Sequence, residues 1–207
     1  MIPILFLLAA TTVFGADGSR IVYTKKFPGS TPAYTGITVS RDGSAVYKES
    51  ENDDQPVNFK LAQPDVDAIF ALADKLDHFK KPLESGLKVA FMGEKTLRWE
   101  SGPEKSEAKF NYSLDEDARA LNEWFERICE TQLRLFDLER AVRFDKLGVN
   151  KAILQFESAL DRKRIIGPDR FLPMLDRIAK NDSYLHMARE RAASLADAIR
   201  KTNGKPE

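Results

Sequence analysis

The sequence predicts an α+β protein: an antiparallel, β-rich amino-terminal unit with one packed helix, followed by an all-α unit built as a helical bundle or hairpins. Three observations carry that expectation. Short β-branched and aromatic runs alternate with turn residues as far as Tyr112, a capping box follows at 113–116, and three-four apolar spacing continues from there onward.

Segments 20–27 (RIVYTKKF), 34–40 (YTGITVS), 45–49 (AVYKE) and 57–61 (VNFKL) read as strands. Pro28, Gly29, Ser30 and Pro32 separate the first two, and Asp42-Gly43 supplies a step suited to the positive φ angles of a tight hairpin. Ile37 and Val39 alternate with Thr38 and Ser40, as Val57, Phe59 and Leu61 do with Asn58 and Lys60, so one face of the sheet is buried. Pro64 opens an amphipathic helix whose Val66, Ile69, Phe70, Leu72, Ala73 and Leu76 are placed to cover that face. Further strands are expected at 87–91, 96–100 and 109–112, broken by Gly93 and Gly102-Pro103.

Ser113-Leu114-Asp115-Glu116 is a capping box, its Ser hydroxyl and Glu carboxylate satisfying free amides of a helix start. Ala118, Leu121, Phe125, Ile128, Leu135 and Val142 then form one stripe, interrupted at Gln132 and ending near Gly148. Asn150 is expected to cap the next helix, with Ile153, Phe156 and Leu160 inward, until Gly167-Pro168. A third helix carries Phe171, Leu172, Leu175 and Ile178. After the Asn181-Asp182-Ser183 turn a last one carries Leu185, Ala188, Ala192, Leu195 and Ile199. Two domains follow, 16–112 and 113–207. Their basic residues differ in kind: 11 of 14 are Lys in the first and 12 of 18 are Arg in the second.

Residues 2–13 (IPILFLLAATTV) have the length of the apolar core of a secretory signal, and no charged side chain precedes Asp17. The run is shorter than the roughly 20 apolar residues of a membrane-spanning helix. Val13 and Gly15 offer small side chains for cleavage between Gly15 and Ala16, so 1–15 is read as a signal peptide and the protein as periplasmic or secreted. Cys129 is too far downstream to carry a lipid at the mature terminus, and no stable membrane anchor is expected after cleavage.

Composition excludes several function classes. Among 207 residues, 32 Lys and Arg balance 32 Asp and Glu, so no net field draws the chain to nucleic acid. A single cysteine, Cys129, forms no intrachain disulfide framework, and with only His78 and His186 a zinc site is poorly provisioned. There is no Gly-x-Ser-x-Gly, His-Glu-x-x-His, Gly-x-Gly-x-x-Gly or Walker motif. No residue is therefore assigned to catalysis, to a cofactor or to a metal.

The remaining chemistry-bearing residues have structural readings. His186 reads as a half-exposed helix histidine, His78 as a surface or capping residue at a helix end, and Cys129 as a small half-buried side chain. Glu49, Glu51, Asp53 and Asp54 form a solvated turn without the glycine and ligand spacing of a calcium loop. Arg162-Lys163-Arg164 complements a helix carboxyl end. Asn111-Tyr112-Ser113 and Asn181-Asp182-Ser183 match the glycosylation sequon.

Residues 31–47 read TPAYTGITVSRDGSAVY: Pro-x-Tyr, an alternating strand, Asp-Gly, and a strand with Tyr. With the capped helix from Pro64 and a later strand pair, this pattern over 20–129 resembles an uncharacterised domain family of bacterial envelope proteins that usually follows a signal peptide. Two cysteines often precede the Pro-x-Tyr step in that family. Here Pro28-Gly29-Ser30-Thr31 stands there, which removes any disulfide or metal role, and the resemblance brings no activity. Residues 173–199 resemble a single hairpin of HEAT type, but one such unit cannot build a solenoid, so an ordinary antiparallel helical hairpin is the expectation here. The function expected is that of a non-enzymatic, exported protein whose surface binds another protein of the envelope. The alternative is a small carboxylate-dependent hydrolase with its site between the two halves, since Asp and Glu converge without a local motif.

Overall fold

The computed structural model describes residues 18–203, so the signal-like run 1–15 and its cleavage site lie outside the described residues. The fold is α+β. Four strands, β1 (Arg20–Lys26), β2 (Tyr34–Ser40), β3 (Ser44–Lys48) and β4 (Val57–Lys60), precede α1 (Gln63–Lys75) and a 3-10 turn at Asp77–Phe79. β5 (Glu94–Ser101) and β6 (Glu104–Phe110) complete the sheet. Then come α2 (Glu116–Phe144), α3 (Val149–Asp161), a second 3-10 turn (Pro168–Phe171), α4 (Leu172–Ala179) and α5 (His186–Asn203).

The six strands form one antiparallel sheet in the order β4-β3-β2-β1-β5-β6. β1 is central because the chain returns after α1 to its free edge. Register pairs Tyr23 with Ile37 on one side and with Leu97 on the other, which puts alternate apolar residues on one face. At the Asp42-Gly43 hairpin, Gly43 has φ +84° and donates its N–H to the Ser40 carbonyl at 2.9 Å. A side chain there would strain both the backbone and the Leu61 carbonyl, 3.0 Å from where a Cβ would stand.

The buried face meets two helices. Val66, Ile69, Phe70 and Ala73 of α1 and Ala118, Leu121, Phe125 and Ile128 of α2 pack into the same core as Ile21, Tyr23, Ile37, Val39, Leu97 and Trp99. The Tyr23 and Phe125 rings stack with centroids 4.7 Å apart. Farther along α2, Leu135, Leu138 and Val142 belong to a second core with α3, α4 and α5. One 29-residue helix therefore serves both cores. Thr131 joins them at its midpoint, its hydroxyl accepting the Ile166 N–H at 3.0 Å and donating to the Arg127 carbonyl. Beside it the Arg170 guanidinium lies over the Phe59 ring at 4.7 Å. α4 and α5 run antiparallel, tied by Arg200 to Asp176 at one end and Arg189 to the Ala179 carbonyl at the other.

Local expectations differ from the fold in five places. Residues 87–91 form no strand: the segment joins neither edge of the sheet, and Leu87, Val89 and Phe91 stay exposed. β6 begins at Glu104, because the Gly102-Pro103 turn, with φ +55° at Gly102, sets Ser101 opposite Glu104 and carries charged residues into the ladder. The cap of α2 is Asp115, whose carboxylate accepts the Ala118 N–H at 3.0 Å, while Ser113 accepts the Asp115 N–H one step earlier. Asn150 does not cap α3: it lies inside the helix, where Gly148 is the cap and Asp145 accepts the Gly148 N–H. Leu185 precedes α5 and is exposed. Among the described residues no helix is long and apolar enough to cross a membrane.

Candidate functional site

The inner face of the sheet changes chemistry along β1. Alternation that places Ile21 and Tyr23 in the core places Lys25 next, with Lys95 as its register partner on β5 and Thr35 on β2. Asn122, Glu126 and Cys129 of α2 lie over this end. Lys25 Nζ is 2.8 Å from Glu126 Oε1, the Tyr23 hydroxyl donates to Asn122 Oδ1 at 3.1 Å, and Thr35 Oγ1 is 3.7 Å from Cys129 Sγ. Two lysines opposed across a ladder repel one another. Here Glu126 neutralises one, and the other, buried, donates to the Asn111 carbonyl at 2.8 Å.

Burial sets the proton affinities of this cluster. It lowers the Lys95 pKa, with the Lys25 charge adding to the effect. It raises the Cys129 thiol, against a smaller opposing hydrogen bond from Thr35, and it raises the Tyr23 hydroxyl well above the ordinary value, helped by Glu126. A thiol raised in this way stays protonated near neutral pH and is a weak nucleophile. The hollow here, about 190 Å³, is partly open, and Phe27, Pro32 and Leu133 line it beside the paired Lys25 and Glu126.

Thr31, Pro32 and Leu133 are common walls of this pocket and of a larger groove, about 870 Å³, between the 27–34 turn and the second half of α2. The turn is closed by the Phe27 N–H on the Ala33 carbonyl at 2.9 Å, with Gly29 at φ +88° and a cis Thr31–Pro32 bond. Its Ser30 hydroxyl lies 2.7 Å from both the Phe27 and Pro32 carbonyls. Phe136 and Phe144 provide aromatic wall, and Arg134, Arg140 and Arg143 the rim. Asp137 is shared by Arg134 at 3.2 Å and Arg140 at 3.1 Å, while Glu49 accepts the Tyr47 hydroxyl at 3.1 Å. A further hollow of about 510 Å³ continues past Phe144 to Lys151. Phe144 is 81% exposed and nearby Leu147 75%, well beyond what the second core leaves to water elsewhere.

The residues singled out in the sequence lie apart. Cys129 lines the small pocket and Glu49 the groove. His78 stacks on Trp99 at 4.1 Å and meets Asp74 at 3.0 Å, inside a turn where Asp77, His78 and Phe79 all have positive φ. His186 is on the surface beside Glu190 at 3.2 Å. Asp53 accepts the N–H groups of Glu49 and Gln55, and among the described residues no three His, Cys, Asp or Glu side chains could hold a metal ion. Arg162 bonds the Ser158 carbonyl, and Arg164 pairs with both Glu123 and Glu130 of α2. Sequence reasoning missed Lys25, Lys95, Glu126, Phe136 and Phe144. Two signals were available: Lys25 falls on an apolar phase of β1, and Phe144 lies two positions past the last residue of the α2 stripe.

No family model matches the chain, and comparison with curated proteins finds no match.

Proposed function

We propose that the protein is a non-enzymatic binding module, exported through its 1–15 leader, that holds an amphipathic segment of another envelope protein in the groove between the 27–34 turn and α2. The observation that carries this reading is Phe144, an aromatic side chain left in water at the mouth of a long groove with aromatic walls and an arginine rim. Apolar side chains of the partner would sit against Phe136 and Phe144, and its polar groups would meet Arg140 and Arg143. The tuned groups beneath the groove favour binding over catalysis, because each shift at Cys129 and Tyr23 disfavours the reactive, ionised form.

A photo-crosslinking side chain placed at Phe144 in the full-length protein, expressed in a bacterial host, tests this. A discrete adduct with one envelope protein, weakened about tenfold in dissociation constant by Arg143→Glu, is the expected result. Crosslinking that is diffuse, or indifferent to Arg143→Glu, would remove the reading. Intact mass of the recovered chain reports export separately, and the expected mass is that of a chain starting at Ala16.

A further inference from the structure

The face of the sheet turned away from α1 and α2 carries two polar hollows, about 400 and 260 Å³, that meet at Val22, Thr24, Tyr34, Glu51 and Arg98. Glu51 reaches this face from the β3–β4 connection and is held there by an ion pair with Lys26 of β1. At the meeting point lies one aromatic ring. Tyr34 and Gly36 are neighbours on the same face of β2, and a Cβ on Gly36 would stand 3.0 Å from the Tyr34 hydroxyl oxygen and 3.1 Å from its Cε1. Gly36 has no positive φ, so the backbone does not call for glycine at this position. The ring does: only a residue without a side chain lets it lie down along the strand.

Most charges around the ring are compensated among themselves, and the two others that line the hollows, Glu94 and Lys48, are of opposite sign. Glu100 pairs with Arg20 and Arg98, Glu51 with Lys26, and Glu107 with Lys109. Neither an anion nor a cation gains much from such a surface, since binding either would break pairs already made. What the face offers is directional hydrogen bonding from Thr24, Thr96, Asn52 and Arg98 around a reclining aromatic plane. That combination suits a ligand with many hydroxyl groups, no charge, and an apolar C–H face.

We propose that the outer face of the sheet is a binding site for a neutral saccharide, with the Tyr34 ring as the stacking platform and Thr24, Thr96 and Arg98 as hydrogen-bonding partners of its hydroxyls. The site is separate from the groove on the opposite side of the sheet and does not depend on it.

Amide-resolved NMR titration of the full chain with chitotetraose, cellotetraose and maltotetraose, and with a sulfated tetrasaccharide as the charged comparison, tests the site. Saturable shifts from at least one neutral sugar are expected at β1, β2 and β5. Tyr34→Ala should weaken binding about tenfold and Tyr34→Phe less than about threefold. Gly36→Val keeps the aromatic residue but forces the ring off the strand while favouring β structure, and it too should weaken binding about tenfold. Unchanged inner-face amide shifts confirm that each variant is folded. No saturable shift from the three neutral sugars at about 10 mM, tighter binding of the sulfated sugar, or undiminished affinity in both Tyr34→Ala and Gly36→Val would overturn the proposal.

Discussion

Asp115, two residues beyond Ser113, closes the amino end of α2, and the difference is energetic as well as positional. Asp115 accepts an N–H from inside the helix, whereas Ser113 accepts only the N–H of Asp115 itself. An anionic side chain at this end also complements the helix dipole. Asp115→Ala should therefore cost about 1 kcal/mol in urea-monitored stability, and Ser113→Ala distinctly less. Equal costs would return the cap to Ser113. The sequence held both residues in one motif. Which of them adopts the half-helical position depends on where the chain leaves β6, and a local pattern does not contain that.

At the scale of elements, residues 84–92 show how a strand pattern without a partner behaves. Leu87, Val89 and Phe91 alternate as a strand would, yet beyond the Ser85 N–H on the Tyr112 carbonyl at 2.8 Å the segment is tied down through side chains: Asn111 accepts the Met92 N–H at 2.7 Å and donates to the Ala90 carbonyl at 3.1 Å. Glu84 accepts the Asn111 N–H at 2.6 Å, and this hydrogen bond, with lesser ones from Gly86 and Ser85, holds its carboxyl below the usual range despite partial opposition from burial. A carboxyl whose folded pKa is lowered contributes stability that is present above its unfolded value, about 4.3, and is lost as pH falls through the folded one. Protection of the Asn111 amide against hydrogen exchange, corrected for its intrinsic rate, should accordingly fall as the Glu84 carboxyl is protonated in acid, and that pH dependence should be absent in Glu84→Gln. Protection that is flat in both would show that Glu84 does not hold the segment.

At the scale of the whole molecule, α2 decides how the chain behaves as a unit. Its first half completes the core under the sheet and its second half the helical core, so neither is finished without it. A fragment of residues 18–112 leaves Tyr23, Ile37 and Leu97 without the Phe125 and Leu121 side chains that pack with them. It should give a collapsed amide spectrum without near-ultraviolet circular dichroism. A well-dispersed spectrum from that fragment would show that α1 alone closes the sheet. In the full chain, tryptophan fluorescence from Trp99 and Trp124 and helical circular dichroism should unfold in one coincident transition, because the shared helix couples the two cores.

Period and punctuation in the sequence determined which segments form β1 to β4, α1, α2 and the helical hairpin, since alternation, three-four spacing, Asp-Gly and Pro-x-Tyr act over a few residues. The stripe from Ala118 to Val142 is buried at every named position for that reason. Only the tertiary structure decided that β5 crosses to the far edge of β1, that Lys25 and Lys95 face one another under Glu126, and that Tyr34 reclines on Gly36. Each of these is a meeting of residues distant in the chain or a ring orientation set by its surroundings, and a local pattern carries no information about which face or edge its partners will occupy.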